Sequence, residues 1–85
     1  MNESETVHVV DDDEATRDAI AMLIEQHGYV VRGHPSAADF LAAVTPEAAG
    51  CAILDMRMPG MDGLELQAEI ARRGIALPVV FLTGH

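Results

Sequence analysis

Apolar residues enter this 85-residue chain in two rhythms. Short bursts, rich in β-branched side chains, occupy Thr6 to Val10 (interrupted by His8), Tyr29 to Val31, Cys51 to Leu54 and Val79 to Leu82. Between the bursts, apolar positions recur with helical spacing. From Glu14 to His27, Ala19, Ile20, Leu23 and Ile24 share one face, and Gly28 stands where a helix commonly stops. Ser36 can cap a second helix, with Ala37, Phe40, Leu41 and Val44 spaced as one apolar stripe and Pro46 beyond its end. Gly63 to Arg73 predicts a third, with Leu66 and Ile70 on one face, paired arginines near its negative end and Gly74 as its stop. The predicted order is β-α-β-α-β-α-β, without repeats, low-complexity tracts or linkers. Bursts that are continuously apolar, rather than alternating, suit a parallel sheet covered on both faces. The expected fold class is α/β.

Where the bursts end, the chemistry begins. Val9-Val10 runs into Asp11-Asp12-Asp13, Ile53-Leu54 into Asp55, and Phe81-Leu82 into Thr83-Gly84. Three strands therefore finish in an acidic or hydroxyl side chain at the carboxyl edge of the sheet, where open α/β sheets bind ligands. Convergent carboxylates call for a hard divalent cation, and Mg²⁺ takes oxygen ligands in octahedral geometry. An Asp beside such a cation is a plausible phosphoryl acceptor. Without metal, neighbouring carboxylates repel, so at least one is expected to have a raised pKa. The Asp11–Glu14 run would serve equally well as a cap for the first helix. Asp62 belongs to the turn before the third helix rather than to a metal site. Gly63 allows close approach where that helix starts.

Composition narrows the classes. Fourteen acidic residues against five basic ones give a net charge of −9, which argues against non-specific binding to nucleic acid or anionic membranes. All the basic residues are arginines, and lysine is absent. The single cysteine, Cys51, sits in an apolar burst and is expected to be a buried thiol. The acidic amino terminus lacks the apolar segment of a signal peptide, and no run is long enough for a membrane span, so a cytoplasmic location is expected. The histidines at 8, 27, 34 and 85 lack ligand spacing and read as incidental, and Met56, Met58 and Met61 read as loop packing.

From Thr6 to the last residue the chain resembles the receiver domain of two-component response regulators, particularly the FixJ/NarL-type group. The resemblance rests on Val7-His8-Val9-Val10-Asp11-Asp12, on Leu54-Asp55-Met56-Arg57-Met58-Pro59-Gly60-Met61-Asp62-Gly63, and on Phe81-Leu82-Thr83-Gly84-His85. It implies a flavodoxin-like, doubly wound parallel sheet, here four strands in the order 2-1-3-4 with three helices. It implies that Asp55 accepts a phosphoryl group from a histidine kinase. Asp12 and Asp55 would ligate Mg²⁺ directly, Asp11 mainly through water, and the backbone carbonyl of Arg57 would add a ligand. Thr83 would hydrogen-bond the phosphoryl oxygen. Arg57 and His85, two positions after Asp55 and Thr83, stand where side chains of similar domains influence hydrolysis of the aspartyl phosphate.

The resemblance also implies a fourth helix, a fifth strand ending in a lysine, and a fifth helix, none of which this sequence holds. The expectation is a single incomplete receiver-like domain over residues 1–85, with self-association possible through Val79–Leu82. The main rival is a module that keeps the fold but works through protein contacts without switching. A haloacid-dehalogenase-type phosphatase, the second rival, wants an Asp two residues after its nucleophile, and Arg57 stands there.

Overall fold

The structure, a computed structural model, describes residues 5–82. Its elements follow in the order β1 (Glu5–Val10), α1 (Glu14–Glu25), β2 (Val31–His34), α2 (Ala37–Ala43), β3 (Ala49–Asp55), α3 (Gly63–Arg72) and β4 (Val79–Leu82). All strand pairs are parallel, and the sheet order is β2-β1-β3-β4. This is the expected architecture.

The helix starts were legible because capping is local. Asp13 caps α1 by accepting from the Thr16 N–H at 3.2 Å, and the Thr16 hydroxyl bonds the same carboxylate. Ser36 caps α2, accepting from the Asp39 N–H at 3.1 Å. At α3, Asp62 accepts from Glu65 N–H at 2.9 Å while the Glu65 carboxylate accepts from Asp62 N–H at 3.0 Å, a reciprocal capping box. Gly28 and Gly74 follow the ends of α1 and α3 with φ of 88° and 72°, the left-handed region where glycine avoids a Cβ penalty.

Register joins the strands into two faces. Val10 lies beside His34 and Leu54, and Leu54 beside Phe81, so these side chains share a face. Ala52 and Val79 join them. That face carries α2 and α3, and its core consists of Val10, Ala37, Phe40, Leu41, Ala52, Leu54, Leu66, Ile70, Ile75 and Leu77, with Met58 from the β3–α3 loop. Phe40, Leu54 and Leu66 are completely buried, each worth ~1.5–3 kcal/mol. The opposite face carries α1, the one helix on it among the described residues, packed chiefly against β1 and β2.

Four expectations need correction. The second strand is Val31–His34 and not Tyr29–Val31: the ladder to β1 begins with Val7 N–H donating to the Val30 carbonyl, while the Tyr29 and Val30 side chains are exposed. An edge strand paired on one side tolerates Arg32 and Gly33, so its polarity concealed it. The α1 face predicted to be apolar is only half covered: Ile20 and Ile24 are half-buried, Ala19 and Leu23 are exposed, and no residue of α1 is fully buried. Among the described residues α1 packs chiefly against β2 and β1, and this single helix is not enclosed. Cys51 is half-buried on that face rather than enclosed. The third strand begins two residues early, at Ala49, because Gly50 lets the chain press against Thr6; a Cβ there would stand 2.1 Å from the Thr6 carbonyl oxygen. Among the described residues no helix is long and apolar enough to cross a membrane.

Candidate functional site

The acidic corner is assembled from the carboxyl ends of β1 and β3. Asp11 extends the β1–β2 ladder by one bond, its N–H donating to the His34 carbonyl at 3.1 Å. Its Oδ1 accepts from the Asp13 N–H at 2.9 Å. Asp55 ends β3 and is held by the Arg57 N–H, which donates to Oδ1 at 3.1 Å. Asp11 and Asp55 are buried while Asp12 is exposed, and one carboxylate oxygen from each of the three lies within 4.8 Å of the others. Sequence placed these three acids together, and the structure brings them together.

Burial raises the Asp11 pKa; the Asp13 N–H works against the rise, and the charges of Asp55 and Asp12 add to it. With the carboxylates ionised, Asp11 Oδ2 is buried without a hydrogen-bond partner. A proton shared with Asp55 would satisfy it, which is why proximity to Asp55 also favours the protonated acid. A divalent cation would satisfy it as well. Three clustered carboxylates with an orphaned buried oxygen form a hard donor set, and they fit Mg²⁺.

The loop after Asp55 is clamped from below by α3. A Cβ on Gly63 would stand 2.5 Å from the Asp55 carbonyl oxygen and 3.0 Å from Met56 Cα, so only glycine lets the helix start against the strand end. The Gly63 N–H donates to the Met56 carbonyl at 3.3 Å. Asp62 is committed to the capping box and stands outside the acidic cluster, as its place in the turn suggested. Met58 is buried in the core and Met56 and Met61 are half-buried, in keeping with loop packing. Thr83 and His85 lie outside the described residues.

Two of the histidines read as incidental are paired. His8 Nδ1 and His34 Nε2 lie 2.9 Å apart, the rings stack at 5.2 Å, and both stand edge-on to Phe40 at 5.5 and 5.4 Å. Burial lowers both pKa values, with Arg32 adding to the effect on His8; at His34, His8 and Arg32 help to take the value to about 4. Both rings are therefore neutral near pH 7, one donating and the other accepting. The signal that could have found the pair is period two along β2, hidden while that strand was placed at Tyr29–Val31.

The family pattern described as the response regulator receiver domain matches residues 7–85. The chain belongs to that family. The receiver is 49% identical over 85 residues to the transcriptional regulatory protein FixJ of Azorhizobium caulinodans, a match that covers all of this chain and 40% of that protein. Among solved structures, FixJ-N superimposes with a TM-score of 0.88 at 38% identity, over 100% of this chain and 67% of that one. The response regulator TrrA of Thermotoga maritima, solved in complex with Mg²⁺-BeF, superimposes at 0.85 with 26% identity, over 95% of this chain and 70% of that one. The receiver thus spans about 40% of the length of a curated relative such as FixJ. It is a receiver domain of the two-component response regulator kind, with the CheY-like, flavodoxin-like sheet.

Proposed function

We propose that Asp55 takes a phosphoryl group from the phosphohistidine of a histidine kinase, at a Mg²⁺ site formed by Asp11, Asp12 and Asp55. The observation that carries this reading is the convergence of three carboxylates, of which Asp11 has a buried Oδ2 without a hydrogen-bond partner. TrrA, whose receiver fold is shared, holds Mg²⁺-BeF, which supports the choice of ion.

A carboxylate oxygen of Asp55 attacks phosphorus, the P–N bond to the kinase imidazole breaks, and an acyl phosphate forms. The Arg57 N–H fixes the rotamer of the attacking carboxylate, and Gly63 fixes the strand end that carries it. A bound Mg²⁺ would neutralise charge on the phosphoryl oxygens. The Arg57 backbone carbonyl is assigned as a further ligand, and the Thr83 hydroxyl as donor to the phosphoryl group. Asp12, exposed beside buried Asp11, is assigned direct ligation, and Asp11 acts mainly through water.

The test is incubation with acetyl phosphate and Mg²⁺ followed by intact-mass measurement. One added phosphoryl group is expected on the native chain and none on Asp55→Asn; equal labelling of the variant overturns the assignment. The non-switching interaction module is not favoured, because the family match runs through the acid pair and the acceptor loop together. The same match removes the phosphatase rival. Self-association is a separate proposal: β4 is an edge of the described sheet, with Val80 exposed. Sedimentation at rising concentration checks it, a monomer throughout being the negative result.

A further inference from the structure

Arg17, in the first turn and a half of α1, reaches back and donates from Nη1 to the backbone carbonyl of Asp11 at 2.8 Å. Its stem lies across Gly33 of β2. A Cβ on Gly33 would stand 3.1 Å from Arg17 Cδ and 3.3 Å from both Cγ and Nε. Gly33 is not among the positive-φ glycines, so its backbone does not call for glycine. What the missing side chain provides is room for the arginine to lie flat. Both peptide groups of Asp11 are thereby secured through β2: its N–H directly to the His34 carbonyl, and its carbonyl through the side chain resting on Gly33.

We infer that Arg17 is a positioning residue for the acidic site, clamped between α1 and β2 by Gly33 and holding the Asp11–Asp12 peptide so that both carboxylates face Asp55. This rests on the reading of that cluster as a cation site. Asp12 is exposed and lies two residues beyond the end of β1, so the peptide joining it to Asp11 sets where its carboxylate lies. Release of the Asp11 carbonyl frees that peptide to rotate. The guanidinium is suited to the task because it stays charged and presents a planar fork of donors. Gly33, on an edge strand and outside the acidic cluster, becomes part of the metal site through one intervening side chain.

The test compares Arg17→Ala, Arg17→Lys, Gly33→Ala and the Arg17→Ala/Gly33→Ala double variant of the 85-residue chain. Two quantities are read: Mg²⁺ affinity from amide-shift titration, and amide exchange at Asp12 and Asp13 without metal. Loss of a charged hydrogen bond predicts Mg²⁺ binding about three- to tenfold weaker in Arg17→Ala and faster exchange at both amides. Arg17→Lys should recover part of each. Gly33→Ala should weaken binding less, and should add nothing once Arg17 is gone, because contacting residues are non-additive. Native affinity and unchanged exchange in Arg17→Ala overturn the inference, even if that variant melts lower, since a purely structural role moves only the melt. Additive effects of the two substitutions overturn the Gly33 link. If the native chain itself fails to bind Mg²⁺, the cation reading falls by itself, and exchange at Asp12 and Asp13 still decides whether Arg17 holds the loop.

Discussion

Asp11 and Asp55 at the strand ends, and His8 and His34 beneath α2, are two pairs of titratable side chains removed from water, each exposed by no more than 4%. The histidines satisfy each other. One ring donates to the other, Phe40 seals the edge, and burial holds both neutral. The carboxylates cannot do this when ionised, because neither has a proton to give. Asp11 is left with a raised pKa and an orphaned oxygen. The difference shows what burial alone does not reveal: the histidine pair closes on itself and supports packing, whereas burial at the strand ends leaves Asp11 Oδ2 without a partner.

The comparison is tested most severely by phosphorylation. Asp55→Asn should abolish labelling by acetyl phosphate, whereas His8→Leu/His34→Leu, which removes both partners of the closed pair, should still be labelled. A folded histidine double variant that no longer accepts phosphate would break the distinction.

Metal binding comes next. Asp12→Ala should weaken Mg²⁺ binding by at least about tenfold. Asp13→Ala should leave the affinity closer to native and instead lower stability by ~1 kcal/mol, since Asp13 caps α1. Isothermal titration and thermal melts separate the two, and the reverse ranking would place the acidic run in the wrong register.

Acid should then divide the pairs by sign. The folded pKa values of His8 and His34 are depressed, so their contribution is complete above the unfolded value near 6.5 and is lost as pH falls through the folded value, about 4 for His34. Asp11 has a raised folded pKa and opposes this trend, gaining stability as it protonates. Melts between pH 7 and 4.5 without metal should fall for the native chain. They should fall less for the histidine double variant, with a difference of about several degrees. Parallel curves would show that the pair does not titrate with folding.

The smallest effect is a gain. Asp11→Asn keeps an oxygen for the Asp13 N–H and removes a buried charge, so the metal-free chain should be stabilised by up to ~1 kcal/mol while Mg²⁺ binding weakens. A lower metal-free melting temperature would mean that Asp11 is already compensated.

Much of this molecule was legible along the chain. The helix starts were legible because their caps lie within three residues of the groups they satisfy. Of these, Ser36 alone reads as a cap in the sequence; the α1 cap reads only as the Asp11–Glu14 run, and Asp62 as a turn residue. Gly63 announced the close start of α3. The three site acids were visible as strand-end residues, because apolar bursts identify strands and parallel strands finish at one edge. The errors fell where neighbours decide. β2 was displaced because an edge strand carries little apolar signal, and with it went the histidine pair. The face of α1 was misjudged because periodicity tells which side of a helix is apolar and not how much sheet lies beneath it.

By itself, then, the sequence determined the element order, the helix starts and the identity of the carboxylates, since each depends on residues a few positions apart. Tertiary structure decided which groups meet: His8 with His34 across 26 positions, Asp11 with Asp55, and Arg17 over Gly33 onto the Asp11 carbonyl. Those meetings depend on strand register and on the depth at which each group is withdrawn from water. Withdrawal is what raises the Asp11 pKa and leaves its Oδ2 without a partner, and what turns two ordinary histidines into a neutral pair.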